Sequence, residues 1–139
     1  MIGIDTNILV RYLTQDDETQ LMIASRIINQ YEDKPESIFI SNIVLCELIW
    51  VLERGYKYNK KEIVNALQAI LSTIEFTFEY HEILWLCLSD YEKFTADFSD
   101  ILLGKISKLH GCEYTVTFDS KAAALKGFKY ANDFNQFPL

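Results

Sequence analysis

At 139 residues the chain is sized for one compact domain, 1–139, long enough to bury about 70% of the surface its unfolded form exposes, and no second domain is expected. Hydrophobic residues make up 50% of it, with nine Phe and eight Tyr, which excludes an intrinsically disordered chain. The net charge of −7 excludes the broad basic surface of a general nucleic-acid binder, though not a local basic groove.

Met1-Ile2-Gly3-Ile4 is an uncharged apolar run, predicted as a central parallel strand buried on both faces, and Asp5-Thr6-Asn7 ends it. Ile8, Leu9, Val10, Tyr12 and Leu13 continue at helical spacing, which puts Asp5 on a strand-to-helix turn. In open parallel sheets such turns are where ligands bind; simple helix capping is the competing reading of Asp5. Thr14 to Glu18 starts a second helix, carried by Leu21, Ile23, Ala24, Ile27 and Ile28. After Lys34-Pro35-Glu36, residues 37–41 form a second strand, and Ser41-Asn42 caps a helix from Ile43 to about Arg54, closed by Gly55.

Residues 60–73 predict a fourth helix, 75–79 a half-exposed edge strand, and 81–94 and 98–110 two more helices. Residues 113–118 read as a strand stopping at Asp119, 120–126 as a short helix, and 128–130 as a final strand. Strands alternating with helices imply an α/β fold, a three-layer α/β/α arrangement around a central, mostly parallel sheet. Cys46, Cys87 and Cys112 lack any C-x-x-C spacing and read as reduced core residues. With neither a basic leader nor an apolar run of about 18 residues, a cytoplasmic protein without membrane attachment is expected.

Several carboxylates are out of place. Glu47 interrupts a long apolar helix, and its neighbours one turn away are Ile43, Val44, Trp50 and Val51. A buried charge there costs several kcal/mol unless a metal cation or strong donors offset it; the competing reading is a partly exposed Glu, or one paired to an Arg from another helix. Asp97 and Asp100 share one side of a helix start, where Asp97 as N-cap and Asp100 in the first turn is ordinary helix chemistry. Asp119 closes its strand as Asp5 closes the first. A doubly wound sheet would gather Asp5, Glu47, Asp97, Asp100 and Asp119 at its switch point, and an all-oxygen set suits Mg²⁺ or Mn²⁺ rather than zinc.

The leading I-D-T-N-I-L, the V-L-x-E-L helix, the A-D-F-x-D-x-L-L segment and the T-V-T-F-D strand end, in this order, resemble a PIN-domain ribonuclease. The single-domain length is similar to the VapC-type toxins of bacterial toxin-antitoxin pairs. The resemblance implies Asp5, Glu47 and Asp100 as central acids, Asp119 as the fourth and Asp97 as an additional one. Thr6, Asn7 and Thr117 would be supporting polar residues. Gly104 departs from the pattern, where Ala is more frequent.

The implied activity is Mg²⁺- or Mn²⁺-dependent hydrolysis of RNA, needing no His or Ser nucleophile. His81 opens one helix and His110 closes another. The cations expected to guide RNA are Arg54, Lys57, Lys60 and Lys61, interleaved with aromatics, with Lys105 and Lys108 as a second set; a solvated loop is the plainer reading of both. The expected partners are an RNA substrate, a cognate antitoxin protein and a second copy in a homodimer. A haloacid-dehalogenase-type phosphatase is the enzymatic rival, but it needs a second Asp where Asn7 stands. A catalytically inactive PIN-like interaction module is the other.

Overall fold

The structure, a computed structural model, describes residues 1–134; residues 135–139 of the expected domain lie outside the described residues. The chain divides into two compact units, Met1–His81 and Glu82–Leu139. Helices and parallel strands alternate in the expected order, and no described helix is long and apolar enough to cross a membrane.

The first unit runs β1 (Ile2–Gly3), α1 (Thr6–Thr14), α2 (Glu18–Asn29), β2 (Ile38–Ile40), α3 (Asn42–Arg54), α4 (Lys60–Leu71) and β3 (Phe76–Phe78). Its strands pair in parallel in the order β1-β2-β3, with Ile2 opposite Ile38 and Ile38 opposite Phe76. Within this unit β2 therefore holds the middle, not β1 as its lack of charge suggested. Of Met1 to Ile4 only Ile4 is buried, because the run is short and Gly3 has no side chain to contribute. Leu9, Ile38, Ile40, Leu45, Leu48 and Ile63 are fully buried and form much of the core.

Each helix of this unit starts on a side chain that satisfies an orphan backbone donor. Asp17 accepts from Gln20 N–H, Ser41 from Val44 N–H, and Asn59 and Glu62 form a reciprocal capping box. Gln15 leaves α1 in the left-handed conformation, φ 57°. Beyond it, Asp16 accepts from the Tyr56 hydroxyl at 2.8 Å and pairs with Arg11 at 3.2 Å, tying the α1–α2 turn to the loop after α3.

The second unit comprises α5 (His81–Lys93, its first residue shared with the first unit), α6 (Phe98–Leu109), β4 (Thr115–Thr117), α7 (Ser120–Ala123) and β5 (Phe128–Tyr130). A 3₁₀ turn, Ala131–Phe134, follows. β4 and β5 pair in parallel, Thr115 opposite Phe128 and Thr117 opposite Tyr130, so the described strands form a three-stranded parallel sheet in the first unit and a two-stranded one in the second. Leu84, Leu88, Phe98, Ile101, Leu102 and Ala122 are buried in this unit.

Two boundaries differ from the sequence reading. β4 is limited to the three residues that the equally short β5 can pair, and α7 stops at Ala123, short of Lys126. The chain then turns through Gly127, whose φ of 90° suits a residue without a Cβ. The cysteines also divide. Cys87 is buried and Cys46 half-buried, with burial pushing the Cys46 thiol up, but Cys112 is exposed in the turn after Gly111 rather than in the core.

Candidate metal centre

In the second unit, Asp97, Asp100 and Asp119 each offer a carboxylate oxygen, and these oxygens all lie within 4.8 Å of one another. Two elements supply them. Asp97 and Asp100 stand at the start of α6, and Asp119 stands between the end of β4 and the start of α7.

The three acids are held differently. Asp119 Oδ1 accepts from the N–H groups of Lys121 and Ala122 at 2.8 and 3.0 Å, so it caps α7 with one oxygen and leaves the other open. Its own N–H donates to Thr117 Oγ1 at 3.0 Å, which gives the supporting Thr117 a physical task. Asp97 occupies the N-cap position of α6, yet its side chain makes no capping bond; only its backbone carbonyl accepts, from Asp100 and Ile101. The expectation that Asp97 spends a carboxylate oxygen on its helix is therefore corrected. Its φ of −65° and ψ of 146° begin the helix without that bond, and the carboxylate joins the cluster instead.

Asp100 is half-buried. Burial first, and then the charges of Asp119 and Asp97, push its carboxyl above the usual carboxylate range. Among the described residues no Lys or Arg forms a salt bridge with any of the three. Capping explains Asp119 but not Asp97, and neither capping nor an ion pair offsets the repulsion felt by Asp100. A hard divalent cation fits this donor set, since it takes carboxylate oxygens and neutralises charge that no ion pair among the described residues neutralises.

The remaining acids belong to the first unit. Asp5 caps α1, Oδ1 accepting from Ile8 N–H at 3.2 Å. Glu47 Oε2 accepts from Thr6 Oγ1 at 2.7 Å, and Thr6 is buried at the first position of α1. No spacing rule connects two residues 41 positions apart, so this bond is invisible in the sequence. Asn7 is exposed.

Glu47 is itself exposed, which corrects the idea of a charge sealed in apolar surroundings. The misreading came from its neighbours: Ile43 and Trp50 are 70% and 59% exposed, so this face of α3 carries apolar side chains that are not core. Arg54 lies 5.6 Å from the Trp50 ring centroid, and Lys57, Lys60 and Lys61 are exposed. His81 accepts a structural role, its Nε2 2.8 Å from the Leu71 carbonyl oxygen and its ring stacked on Phe78.

A profile of the PIN domain matches residues 2–127, spanning all the acids above. The chain belongs to the PIN-domain family. Its parallel strands and intervening helices are the α/β architecture of a PIN domain. This PIN domain is also 26% identical over 133 residues to a VapC ribonuclease of Aquifex aeolicus (strain VF5), covering 96% of this chain and 97% of that one.

Proposed function

We propose that this PIN domain is a divalent-metal-dependent endoribonuclease that hydrolyses RNA phosphodiester bonds, and that it serves as the toxin of a toxin-antitoxin pair. The observation that carries the reading is the uncompensated Asp97, Asp100 and Asp119 cluster in a chain of this family. Its likeness to a VapC ribonuclease across nearly its whole length supports the same substrate class.

Asp97, Asp100 and Asp119 would hold Mg²⁺ or Mn²⁺. Such an ion supplies Lewis acidity, lowering the pKa of water and offsetting charge that develops on phosphate oxygens. The chain's own groups do the rest. Asp119 is positioned by its two backbone donors, and Asp97 and Asp100 bring carboxylates free of hydrogen-bonding duties among the described residues. Asp5 and Glu47, in the first unit, are proposed as further catalytic acids of the reaction, in which the attacking water gives up a proton. As the new P–O bond forms, the bond to the leaving oxygen breaks, and that oxygen takes up the proton. Thr6 keeps Glu47 aimed through its hydroxyl.

Exposed Arg54, Lys57, Lys60 and Lys61 are assigned to the RNA backbone, and exposed Ile43 and Trp50 on α3 to a homodimer contact. An antitoxin would inhibit by covering the acidic site with basic or apolar side chains. The test is RNA cleavage by purified protein with and without Mg²⁺, with Asp100→Asn as control. Metal-dependent cleavage lost in the variant is expected; intact RNA under every condition returns the chain to an interaction module. Growth arrest on expression in a bacterium, relieved by the neighbouring open reading frame, is the expected sign of the toxin role.

A further inference from the structure

The second unit contains a cleft of about 550 Å³ that the proposed chemistry leaves unused, within the size range of small-molecule sites. None of Asp97, Asp100 and Asp119 lines it. One wall is a single face of α6, where Ile101, Gly104, Lys105 and Lys108 recur at helical spacing. The facing walls include Tyr114 and Phe128. Gly104 shapes this wall: a Cβ built there would collide with the Phe128 ring, so glycine lets that aromatic lie directly against the helix.

The charge of the cleft opposes that of the chain. Lys105 is paired with Asp90 at 2.8 Å, but Lys108 and Lys126, both exposed lining residues, have no ion-pair partner among the described residues. The other lining acid is Glu113, which is exposed to solvent. Lys129 adds a further ammonium 4.1 Å from the centroid of the Tyr114 ring. In a chain of net charge −7, a hollow with surplus cations at its rim and rings in its walls selects an anion that carries a flat apolar group.

We propose that this cleft is a nucleotide subsite, with a base placed against Tyr114 and Phe128 and its phosphate taken by Lys108 and Lys126. An acidic peptide would satisfy the lysines but would offer no flat face to the rings. The assignment to a nucleotide of the RNA substrate rests on the ribonuclease reading; binding of a single nucleotide does not.

The test titrates the full chain with adenosine 5′-monophosphate, uridine 5′-monophosphate, inorganic phosphate and an acidic hexapeptide, followed by NMR shifts. A nucleotide is expected to bind at least tenfold more tightly than phosphate or peptide. The pair Lys108→Glu and Lys126→Glu should weaken nucleotide binding at least tenfold and raise the KM for RNA about fivefold with kcat unchanged. Lys34→Glu with Lys93→Glu, outside the cleft, should change neither. If the double variant fails to fold, Lys108→Ala and Lys126→Ala singly should each weaken nucleotide binding about threefold. Equal affinity for phosphate and nucleotide, tighter peptide binding, or indifference to the cleft lysines overturns the proposal. Asp100→Asn separates the two readings, because it should abolish cleavage and leave nucleotide binding intact. Nucleotide binding in a wild-type protein that cuts no RNA sinks the ribonuclease reading and leaves the cleft standing.

Discussion

The Thr6 hydroxyl donates to Glu47 Oε2 at 2.7 Å, joining the first turn of α1 to the middle of α3. The donor is buried and the acceptor exposed, so the bond fixes the orientation of a carboxylate that solvent would otherwise leave free to rotate. With its acceptor exposed to solvent, the bond contributes about 1 kcal/mol to stability. Thr6→Val, close in shape and without a donor, should lower cleavage about tenfold or more with a melting temperature within a few degrees of wild type. Thr6→Ser should restore the rate; equal rates in both variants would remove Thr6 from any positioning role.

Glu47→Gln follows from the exposure of that side chain. With no buried charge to relieve, its stability should stay within about 0.5 kcal/mol of wild type, as for most surface changes, while cleavage falls by orders of magnitude. Chemical denaturation and a cleavage assay together decide it, since a clear gain in stability would mean that Glu47 is poorly solvated after all.

Asp100→Asn should stabilise the metal-free protein at neutral pH, by removing a charge that burial and its acidic neighbours disfavour. The sign follows from its raised carboxyl: as pH falls through that range, the wild-type acid takes up a proton more readily when folded than when unfolded. The folded wild type therefore gains on the variant, and the gap between them should close toward acid pH. Unfolding midpoints measured from pH 7 to 4 with a chelator present test this. A gap that widens on acidification contradicts the charge cluster.

Asp97→Asn should now be judged on the metal alone, because the Asp97 side chain has no cap to lose. Both it and Asp100→Asn should shrink the rise in melting temperature that millimolar Mg²⁺ gives the wild type. If Mg²⁺ stabilises Asp97→Asn as much as wild type, Asp97 is not a ligand.

Asp119 separates folding from chemistry by substitution. Asp119→Ala removes two capping bonds and should cost about 1 kcal/mol, whereas Asp119→Asn keeps a capping oxygen and should cost far less. Both should lose cleavage, and thermal melts beside rates distinguish the two losses.

The succession of helices and strands was legible because apolar periodicity switches cleanly, as between Ile38-Phe39-Ile40 and the helix that Ser41 caps. The three strand-to-helix or helix-start positions bearing Asp5, the pair Asp97 and Asp100, and Asp119 were legible for the same reason. What failed was depth. The run around Glu47 reads alike whether Ile43 and Trp50 face the core or the solvent, and only tertiary packing decides. Side-chain choice at Asp97 was equally hidden, since an N-cap residue is named by its backbone position while its carboxylate remains free to turn elsewhere. The cleft left one trace in the sequence, a glycine at 104, whose meaning depends on a ring 24 positions away.

The unequal duties of Asp97 and Asp119 bear on how such a protein can change over generations. Asp119 is answerable both to its helix and to the acidic cluster, so drift there is narrowed to residues that still cap. Asp97 makes no capping bond, so among the described residues its side chain answers to the cluster alone. In a descendant relieved of selection for the proposed cleavage, positions 97 and 100 are where the acids disappear first, and a retained Asp119 beside a lost Asp97 is the mark such a history would leave.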